Sequence, residues 1–400
     1  MAANRLKVLL ASNMYAYSGN WDKLDALGRF VDLAVITPER WGMPELGQVL
    51  EVPEKSSPAP WRQYRLPARV YEKGNPFRFF YNWDPLVQVI EREKPDIVHV
   101  EQEPESINLL QFSLLKVRHR FPLVFVAWED HNPLRLGWGF RKANYALADA
   151  GIFGNQVAME RAVKFGFRKK MEVIPQYGFE ITAGTFGVDM AGPDGHARVG
   201  DGKFVVGYAG RLVPEKGVQT LIEATRRMPG TEVLVAGEGP LASAIREEPH
   251  VKMLGWVPRT EMAGFWSQLD VMVLPSLTDG KKWVEQFGRV LVEAMAAGVP
   301  VVGSDAGRIP DTVGDAGLIF HEGDAAGLRE ALDTLRTSPE RRKALRERGL
   351  ARVRDRYSHD VLMGRTVRFY EEVLASRRGA ARSATSIGGS TQPETGQTER

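Results

Sequence analysis

Short apolar runs alternate with longer amphipathic segments along most of this chain, and this alternation constrains the fold more than any other feature. The segments repeat apolar residues at helical spacing, which is typical of helices that cover one face of a sheet. Buried strands joined by helices form parallel sheets, so the pattern predicts an α/β fold. The predicted strands are residues 6–11, 32–37, 97–101, 123–128, 150–153 and 171–174, followed by 204–209, 232–236, 252–254, 271–274, 300–303 and 318–320.

A glycine-rich polar segment divides the alternation into two series. A chain of 400 residues is also too long for one ordinary core. We therefore predict two doubly wound, Rossmann-like domains over 1–182 and 204–357, joined by a linker over 183–203. A helix over 358–376 and a disordered tail over 377–400 complete this division. Ligands of such folds bind beyond the carboxyl ends of the strands, so we expect the site in a cleft between the domains.

One stretch of the first half lacks this alternation. Residues 39–76 are rich in proline, tryptophan and arginine and show no clear period. We interpret them as a long connection with short edge strands.

Composition excludes several classes of protein. The net charge is only +3 and no basic run is interleaved with aromatic residues, so nucleic acid is not an expected partner. The absence of cysteine excludes disulfides, thiolate catalysis and cysteine-ligated metal, and it fits a cytoplasmic protein. No run approaches 18 apolar residues, and the apolar part of the first 12 residues is too short for a signal peptide.

The run EQFGRVLVEAMAAGVPVVGSD, residues 285–305, contains two carboxylates around a short helix. Glu285 precedes the helix, Glu293 lies on its second turn, and Gly298 and Pro300 end it. Two acids so close in sequence can face one cleft, where each carboxylate accepts hydroxyl hydrogen bonds from a polyhydroxylated ligand. Solvated charges at a helix end explain the spacing equally well.

A second informative run is FVVGYAGRLVPEKGVQTLIEA, residues 204–224. A buried strand ends at Gly210, the following loop carries Arg211 and Lys216, and Gly217 opens a helix. Two cations beside a helix N-terminus suit phosphate groups, because the backbone amides and the side chains offer charge-assisted hydrogen bonds. An ordinary surface loop with two solvated bases is the alternative.

Together these two runs resemble the family 4 glycosyltransferases, which are retaining enzymes of the GT-B architecture. The likeness extends to DAGRIPDTVGDAGLIF, covers the C-terminal domain almost completely, and continues more faintly through PDIVHVEQEP, ADAGIFGNQVAMERAVKFGF and VIPQYGFE. The resemblance implies two Rossmann-like domains that face each other across a cleft. It also implies that the last helix crosses back to the N-terminal domain.

The resemblance assigns Arg211 and Lys216 to the diphosphate of a sugar nucleotide, with Gly210 among the donor-binding residues. The two cations would stabilise the negative charge that develops as the glycosidic bond breaks. The loop at 237–240 and the turn at 255–257 would border the nucleotide. No metal is expected, and neither is any other cofactor.

The same resemblance divides the two glutamates between ribose and sugar. Glu293 would accept the ribose hydroxyls, and Glu285 would lie near the donor sugar with a catalytic role. The backbone amides of Phe287 and Gly288 would lie close to the sugar hydroxyls. A helix N-terminus at Gly288 would add partial positive charge near the leaving diphosphate.

The N-terminal domain departs from the family pattern at two places. Many relatives have a glycine pair after the first strand, whereas this chain reads SNMYAYSGN, in which Gly19 is the candidate substitute. Many relatives also place a histidine where this chain has Trp128, followed by Glu129, Asp130 and His131. These four residues are candidates for the acceptor side, and capping of the following helix is the alternative role.

Three further features of this domain have two interpretations each. His99 lies in an apolar strand, which favours a core histidine over a catalytic one. Glu101 and Glu103 lie where that strand ends, and they could contact acceptor hydroxyls or be solvated charges. The segment 132–146 mixes tryptophan, arginine and lysine, which fits either an anionic or lipid-linked acceptor at a membrane surface or a plain surface helix.

The predicted function is a metal-independent, retaining hexosyltransferase. It would move a hexose from a nucleoside diphosphate sugar to a hydroxyl of a glycan, a lipid-linked saccharide or a small molecule, with possible peripheral contact at the inner face of the membrane. The alternatives are a sugar-nucleotide epimerase and a non-catalytic sugar-nucleotide-binding protein. A dehydrogenase is disfavoured because no GxGxxG turn follows the strands at 6–11 or 204–209.

Overall fold

The computed structural model describes residues 5–43, 48–55, 59–70, 77–128, 137–179, 202–278 and 284–387. Its contacts divide the chain into two compact units. The N-terminal unit comprises Met1–Ala127, Pro133–Ile174 and Met363–Arg400, and the C-terminal unit comprises Trp128–Asn132 and Pro175–Leu362. Most of the predicted linker at 183–203 lies outside the described residues.

The described part of the N-terminal unit is built on a seven-stranded parallel sheet with the order β11-β10-β9-β8-β1-β2-β5. The strands are β1 (Lys7–Ala11), β2 (Asp32–Pro38), β3 (Arg40–Met43), β4 (Gln48–Glu51), β5 (Trp61–Leu66), β6 (Ala68–Val70), β7 (Phe79–Tyr81), β8 (Ile97–Glu101), β9 (Leu123–Ala127), β10 (Ala150–Phe153) and β11 (Lys170–Val173). The helices are α1 (Asp22–Phe30), α2 (Trp83–Glu93), α3 (Ile107–His119), α4 (Trp138–Leu147) and α5 (Gln156–Lys164).

The central strands of this sheet are buried on both faces. The runs IVHVE of β8 and LVFVA of β9 are buried at every position, as continuous apolar strands of a parallel sheet require. The chain passes from β1 to β2 and β5 on one side, and only later to β8 on the other side. The strand order therefore reverses between β1 and β8, which opens a crevice at their carboxyl ends.

The connection predicted at 39–76 contributes one strand to the main sheet. Strand β5 pairs with β2 in parallel at the edge, and β3–β4 and β6–β7 form two small antiparallel sheets. Strand β5 is therefore one of the short edge strands expected in this connection, although its polar residues give it no clear apolar pattern. Arg62, for example, binds Asp32 and Glu93 across neighbouring elements.

In the described residues of the C-terminal unit, a six-stranded parallel sheet has the order β14-β13-β12-β15-β16-β17. Its strands are β12 (Phe204–Ala209), β13 (Thr231–Ala236), β14 (Val251–Gly255), β15 (Val271–Leu274), β16 (Val301–Ser304) and β17 (Gly317–Phe320). Its helices are α6 (Val218–Thr225), α7 (Ala242–Arg246), α8 (Met262–Trp266), α9 (Arg289–Ala296), α10 (Ile309–Val313), α11 (Ala325–Thr337) and α12 (Pro339–Arg352). Here the strand order reverses between β12 and β15, so a second crevice opens at the carboxyl ends of these two strands.

The last helix, α13 (His359–Ile387), begins in the C-terminal unit, and from Met363 onward its residues belong to the N-terminal unit. It therefore crosses back as expected, and Arg365 binds Glu172 of β11 there. The helix continues beyond Ser376, so the part of the predicted disordered tail up to Ile387 is helical instead. Its arginines and alanines are strong helix formers, which the low apolar content concealed. Within the described residues, no helix is long and apolar enough to cross a membrane.

Candidate donor site

Two loops meet at the crevice of the C-terminal unit, one after β12 and one after β15. The loop after β12 carries the predicted cations, and the loop after β15 leads toward the predicted glutamates. Because β12 and β15 are adjacent and parallel, their carboxyl ends lie at the same edge of the sheet. The strand order alone therefore brings the two sequence motifs together.

Gly217 lets these two loops approach closely. It adopts φ +64°, and a Cβ placed on it would lie 1.8 Å from the carbonyl oxygen of Pro275. The neighbouring backbone is joined as well, since the Leu277 N–H donates to the Glu215 carbonyl at 2.9 Å. Glycine is required here, and the close approach brings Lys216 to the end of β15.

Three donors surround the carboxylate of Glu285. The Lys216 ammonium lies 2.6 Å from Oε2, the Ser276 hydroxyl donates to the same oxygen at 3.0 Å, and the Gly288 N–H donates to Oε1 at 3.3 Å. The Lys216 and Glu285 side chains are only 18% and 12% exposed. Such a charge-assisted cluster fixes both side chains at the edge of the crevice.

The main chain of Glu285 is held too. Its carbonyl accepts the Arg308 N–H at 2.8 Å, and a Cβ on Gly307 would lie 2.2 Å from the same oxygen. Gly307 has φ +56°, so this position favours glycine on two grounds. The loop after β16 thus holds the loop that carries Glu285.

Arg211 is arranged differently from Lys216. Its side chain is 56% exposed and reaches no closer than 4.0 Å to Glu215, which is a weak contact. Its main chain is anchored, since the buried Tyr208 hydroxyl donates to the Arg211 carbonyl at 2.8 Å. Burial raises the pKa of Tyr208, and the Glu285 carboxylate raises it further, so this hydroxyl stays protonated as a donor. Arg211 therefore presents an exposed guanidinium from a fixed loop.

Helix α9 carries the second glutamate. Gly288 caps it with φ +71°, and the Glu293 carboxylate accepts a hydrogen bond from Arg289 Nε at 2.9 Å. The Arg289 guanidinium also lies over the Tyr177 ring, 5.1 Å from its centroid. Glu293 is thus paired along the helix at i,i+4 spacing and is separate from the Glu285 cluster in its contacts.

Phe287 packs beneath this helix start. Its ring lies 6.1 Å from that of Tyr177 and 5.5 Å from that of Tyr357, and its carbonyl accepts the Thr312 hydroxyl. The amide of Gly288 already donates to Glu285, so it is not an unoccupied donor for a sugar hydroxyl. The roles predicted for both backbone amides remain predictions.

A third loop adjoins the loop after β12. Gly237 has φ +151°, and a Cβ on it would lie 1.9 Å from the carbonyl oxygen of Gly210. The Gly237 N–H donates to Gly255 at 2.7 Å, and the Leu212 N–H donates to the Glu238 carbonyl at 2.8 Å. The carboxyl ends of β12, β13 and β14 therefore form one connected surface.

On the N-terminal side, the structure describes only part of the predicted acceptor site. Gly19 lies in a short 3-10 turn, Ser18–Asn20, where a Cβ would contact the ring of Tyr17. Trp128 is partly buried directly after β9. Glu129, Asp130 and His131 lie outside the described residues, and their roles remain predictions.

Glu101 at the end of β8 and Glu103 just beyond it are buried, which excludes the interpretation as solvated charges. Glu103 is 5% exposed and Glu101 is 1% exposed. The Glu101 carboxylate accepts hydrogen bonds from Lys23 at 2.6 Å and from the Tyr15 hydroxyl at 3.0 Å. Burial opposes ionisation of Glu101, but the Lys23 charge and these hydrogen bonds outweigh it and lower the pKa.

His99 is a core residue, as the sequence favoured. It is 3% exposed, its Nδ1 shares a hydrogen bond with the Tyr370 hydroxyl of α13, and its Nε2 lies 3.7 Å from Glu101. Burial lowers the pKa of His99 to about 4, so the ring is neutral near pH 7. Its visible function is to join the last helix to strand β8.

Sequence reasoning missed Ser276 and Arg289, which hold the two glutamates. Ser276 lies two residues beyond a buried strand, at the carboxyl edge of the sheet, and that position was a usable signal. Arg289 stands four residues before Glu293, which is the spacing of a helical ion pair. In the described part of the chain, no group of three or more His, Asp or Glu side chains is placed to hold a metal ion.

Comparison with known proteins identifies the family to which this chain belongs. Residues 196–352 match the family model described as Glycosyl transferases group 1. The lipopolysaccharide core biosynthesis glycosyltransferase LpsE of Rhizobium meliloti is 30% identical over 258 residues, which cover 61% of this chain and 69% of LpsE. The chain belongs to the glycosyl transferases group 1.

Other members of this glycosyltransferase group align over a shorter span. A GDP-mannose-dependent monoacylated alpha-(1-6)-phosphatidylinositol monomannoside mannosyltransferase of Corynebacterium glutamicum is 33% identical over 169 residues. That alignment covers 40% of this chain and 44% of the relative, so it spans less than half the length of either protein.

Solved structures show that the fold is GT-B. A glycosyltransferase from Rickettsia africae superposes with a TM-score of 0.69 at 14% identity, covering 93% of this chain and 99% of that one. Anabaena HepE, solved in complex with UDP, gives a TM-score of 0.63 at 18% identity, covering 92% of this chain and all of that one.

Proposed function

We propose that this chain transfers a hexose from a nucleoside diphosphate sugar to a hydroxyl group of an acceptor. The observation that carries the proposal is the arrangement at the β12–β15 crevice, where Lys216, Ser276 and Gly288 hold the Glu285 carboxylate. The same loop after β12 presents the exposed guanidinium of Arg211. This crevice lies at a strand-order reversal, which is where ligands of doubly wound sheets bind. Membership of the glycosyltransferase group supports the same reaction.

The two cations have complementary tasks in this mechanism. Arg211 offers an exposed planar fork that can bind two oxygens of a diphosphate at once. Lys216 has three N–H donors, so it can bind a phosphate oxygen while it remains bonded to Glu285. As the bond from the sugar to the diphosphate breaks, negative charge grows on the phosphate oxygens. Fixed cations at that position stabilise the transition state more than the ground state.

The two glutamates bind hydroxyl groups in this proposal. Glu293 lies on α9 with one carboxylate oxygen paired to Arg289, which leaves acceptor capacity for the ribose. Glu285 directs its carboxylate to the crevice, where the long 3.3 Å contact from Gly288 leaves Oε1 able to accept a sugar hydroxyl. Both are ligand contacts, and neither acts as a general acid or base.

Retention of the anomeric configuration and independence from metal are also part of the proposal. Both derive from the family resemblance, and the pair of cations offers charge stabilisation that a metal would otherwise supply. NMR of the first product formed tests retention, because the one-bond coupling between C1 and H1 distinguishes the two anomeric configurations. Full activity after exhaustive treatment with EDTA would support metal independence, and loss of activity that is restored by a divalent cation would contradict it.

The proposed acceptor is a glycan or a lipid-linked saccharide. Relatives are named for a phosphatidylinositol monomannoside and for the lipopolysaccharide core, both of which are glycolipids. Work at the cytoplasmic face of a membrane, through peripheral contact, would follow from such an acceptor. Co-sedimentation with anionic and neutral vesicles tests this contact, and absence of binding to either would remove the membrane from the proposal.

The experiment that tests the function is a thermal-shift screen of sugar nucleotides followed by acceptor screening by mass spectrometry. Stabilisation by a ligand increases with its affinity, so the screen identifies the donor. An acceptor that gains the mass of one hexose supports the proposal. Conversion of the donor without any acceptor would favour an epimerase, and donor binding without transfer to any acceptor would favour a binding protein.

A further inference from the structure

The loop after β1 departs from the family pattern and belongs to the crevice of the N-terminal unit. Where many relatives have a glycine pair, this chain reads SNMYAYSGN, and the run forms two 3-10 turns, Met14–Ala16 and Ser18–Asn20. Tyr17 lies between the turns and is 53% exposed. Single exposed aromatic residues are common on protein surfaces, so the way in which this ring is held decides its interpretation.

The Tyr17 ring rests directly on Gly19. A Cβ on Gly19 would lie 2.4 Å from Cε1 of the ring and 3.1 Å from Cδ1 and Cζ, so glycine is needed to leave the ring this position. The glycine backbone supports the ring from one side, while much of the remaining ring surface is open to solvent. The residue predicted to substitute for the glycine pair therefore seats an aromatic platform.

Hydrogen bonds hold the loop that carries this ring. The Asn20 N–H donates to the Tyr17 carbonyl at 3.1 Å, and the Trp21 indole N–H donates to the Tyr15 carbonyl at 2.9 Å. The Tyr15 hydroxyl in turn donates to the buried Glu101 carboxylate at the end of β8. The loop after β1 is thus tied to β8, the neighbouring strand of the sheet. A ring held in this way loses little conformational entropy when a ligand binds.

A polar group lies one turn before the ring. The side-chain oxygen of Asn13 accepts a hydrogen bond from Gln102, which is buried directly after β8. This bond fixes the Asn13 amide at the crevice, where the residue is partly exposed. At about 2 Å rise per residue in a 3-10 turn, Asn13 and Tyr17 are roughly 8 Å apart. An amide both donates and accepts hydrogen bonds, as the hydroxyl groups of a sugar do.

An exposed ring near a fixed amide suits a sugar. A pyranose has faces of C–H groups, which pack on an aromatic ring, and a rim of hydroxyl groups, which bind amides. Small-molecule sites combine aromatic surface with a few placed polar groups in the same way. A protein partner would require a wider apolar surface, whereas the three residues after Tyr17 are serine, glycine and asparagine.

The position of this ring favours the acceptor over the donor. The side chains proposed for the diphosphate, Arg211 and Lys216, belong to the C-terminal unit. Tyr17 belongs to the N-terminal unit and lies at the strand-order reversal between β1 and β8, where a ligand of that sheet binds. The crevice of the N-terminal unit is therefore left to the second substrate.

We infer that Tyr17 is the platform on which a sugar ring of the acceptor stacks, and that the Asn13 amide binds a hydroxyl group of the same ring. The inference rests on the proposed function, because it names the side chains that hold the acceptor of that reaction. It concerns a loop in which this chain departs from the family pattern. Truncation of a tyrosine that anchors a ligand lowers the affinity at least about fivefold.

Saturation-transfer NMR on the full chain tests this sugar site, with the methyl glycosides of glucose, galactose, mannose and N-acetylglucosamine as probes. We expect at least one probe to bind the wild-type protein, with saturation concentrated on the ring protons of one face. Tyr17→Ala should weaken that binding at least about fivefold, and Tyr17→Phe should keep it, because stacking does not need the hydroxyl. Phe30→Ala, at an exposed aromatic residue at the other end of α1, is the matched control and should change nothing.

Two further variants test how the ring is seated and what lies beside it. Gly19→Ala should weaken probe binding as Tyr17→Ala does, because the added Cβ displaces the ring, and the double variant should lose no more than Tyr17→Ala alone. Additive losses would overturn the seating of the ring on Gly19. Asn13→Ala should weaken probe binding roughly two- to tenfold, and unchanged binding would overturn the polar contact.

Steady-state kinetics with the acceptor found by screening separates the two substrates. Tyr17→Ala should raise the KM for the acceptor at least about fivefold and leave the KM for the donor unchanged. A rise in the KM for the donor alone would overturn the acceptor role of Tyr17.

Failure of the sugar platform and failure of the proposed function give different results. Binding of no probe to the wild-type protein, or equal binding to wild type and Tyr17→Ala, would overturn the platform and leave the transfer reaction intact. Probe binding that depends on Tyr17, in a chain that transfers no hexose to any acceptor, would overturn the proposed function and the acceptor role with it.

Discussion

Replacement of Lys216 by alanine should have two separable consequences, one for stability and one for donor binding. The ammonium lies 2.6 Å from Glu285, and both side chains are less than one fifth exposed. A hydrogen bond to a charged group contributes ~1.5–3 kcal/mol. Ser276 and Gly288 still bind the carboxylate in the variant, so the loss should stay within that range. For a unit of this size the melting temperature should fall by roughly 3–12 °C.

The double variant Lys216→Ala with Glu285→Gln distinguishes the two consequences. Glutamine removes the unpaired charge and still accepts the Ser276 hydroxyl, so at least half of the lost stability should return, as expected for coupled neighbours. Transfer should not return, because loss of one fixed charge donor at the leaving group costs roughly 10²–10³ in kcat. Calorimetry measures the stability, and the initial transfer rate measures the catalysis.

The control for this experiment is Lys203→Ala, at an exposed ion pair with Glu232. Exposed pairs contribute about 0–1 kcal/mol, so this variant should resemble the wild-type protein in both assays. Wild-type donor affinity in Lys216→Ala would refute the assignment of this lysine to the diphosphate. Recovery of transfer in the double variant would show that neither the Lys216 ammonium nor the Glu285 charge is needed for transfer, and that the single variant fails only because its carboxylate is left without a cation.

Three further predictions concern the fold around the two crevices. Gly217→Ala should destabilise the protein by more than ~1 kcal/mol in chemical denaturation, because its Cβ would overlap a carbonyl oxygen. Gly230→Ala is the control, since this glycine has φ +74° with no atoms near its Cβ position and so measures the backbone cost alone. Equal losses of unfolding free energy in the two variants would contradict the steric account. Tyr370→Phe should cost ~1–3 kcal/mol by leaving His99 Nδ1 without its partner, and an unchanged denaturation midpoint would argue against that bond. Because the pKa of His99 is lowered to about 4, its contribution to the free energy of unfolding is complete above the unfolded pKa near 6.5 and is lost as the pH falls toward 4. His99→Gln should therefore flatten the dependence of stability on pH in this range. An unaltered slope would contradict the assignment.

Much of the fold follows from the sequence because buried parallel strands are nearly continuous apolar runs. Strands such as LVFVA and VMVL could be located within one or two residues for that reason. Strand β5 was harder, since its arginines form ion pairs that no apolar pattern signals. The extension of α13 to Ile387 depends on helix propensity rather than on amphipathic pattern, so its end was placed too early.

The candidate site was predicted in its residues but not in its pairings. Arg211, Lys216, Glu285 and Glu293 were identified from two motifs, and the reversal of strand order at β12 and β15 explains why both motifs lie at one edge. Spacing could not show that Lys216 binds Glu285, because the two residues are 69 positions apart and meet through the strand order and the close approach at Gly217. Nor could it show that Glu101 is buried with Lys23, since long-range pairing leaves no local pattern.

The central claim is that the protein transfers a hexose from a donor bound at the β12–β15 crevice. Product formation tests this claim most directly. The donor and the acceptor found by screening are incubated with the wild-type chain and with the Arg211→Ala/Lys216→Ala variant, and the acceptor is weighed by mass spectrometry over time. The account predicts an acceptor that gains one hexose with the wild-type chain and a rate at least about 100-fold lower with the variant. Equal rates for the two proteins, or a wild-type chain that binds the donor and modifies no acceptor, would contradict it.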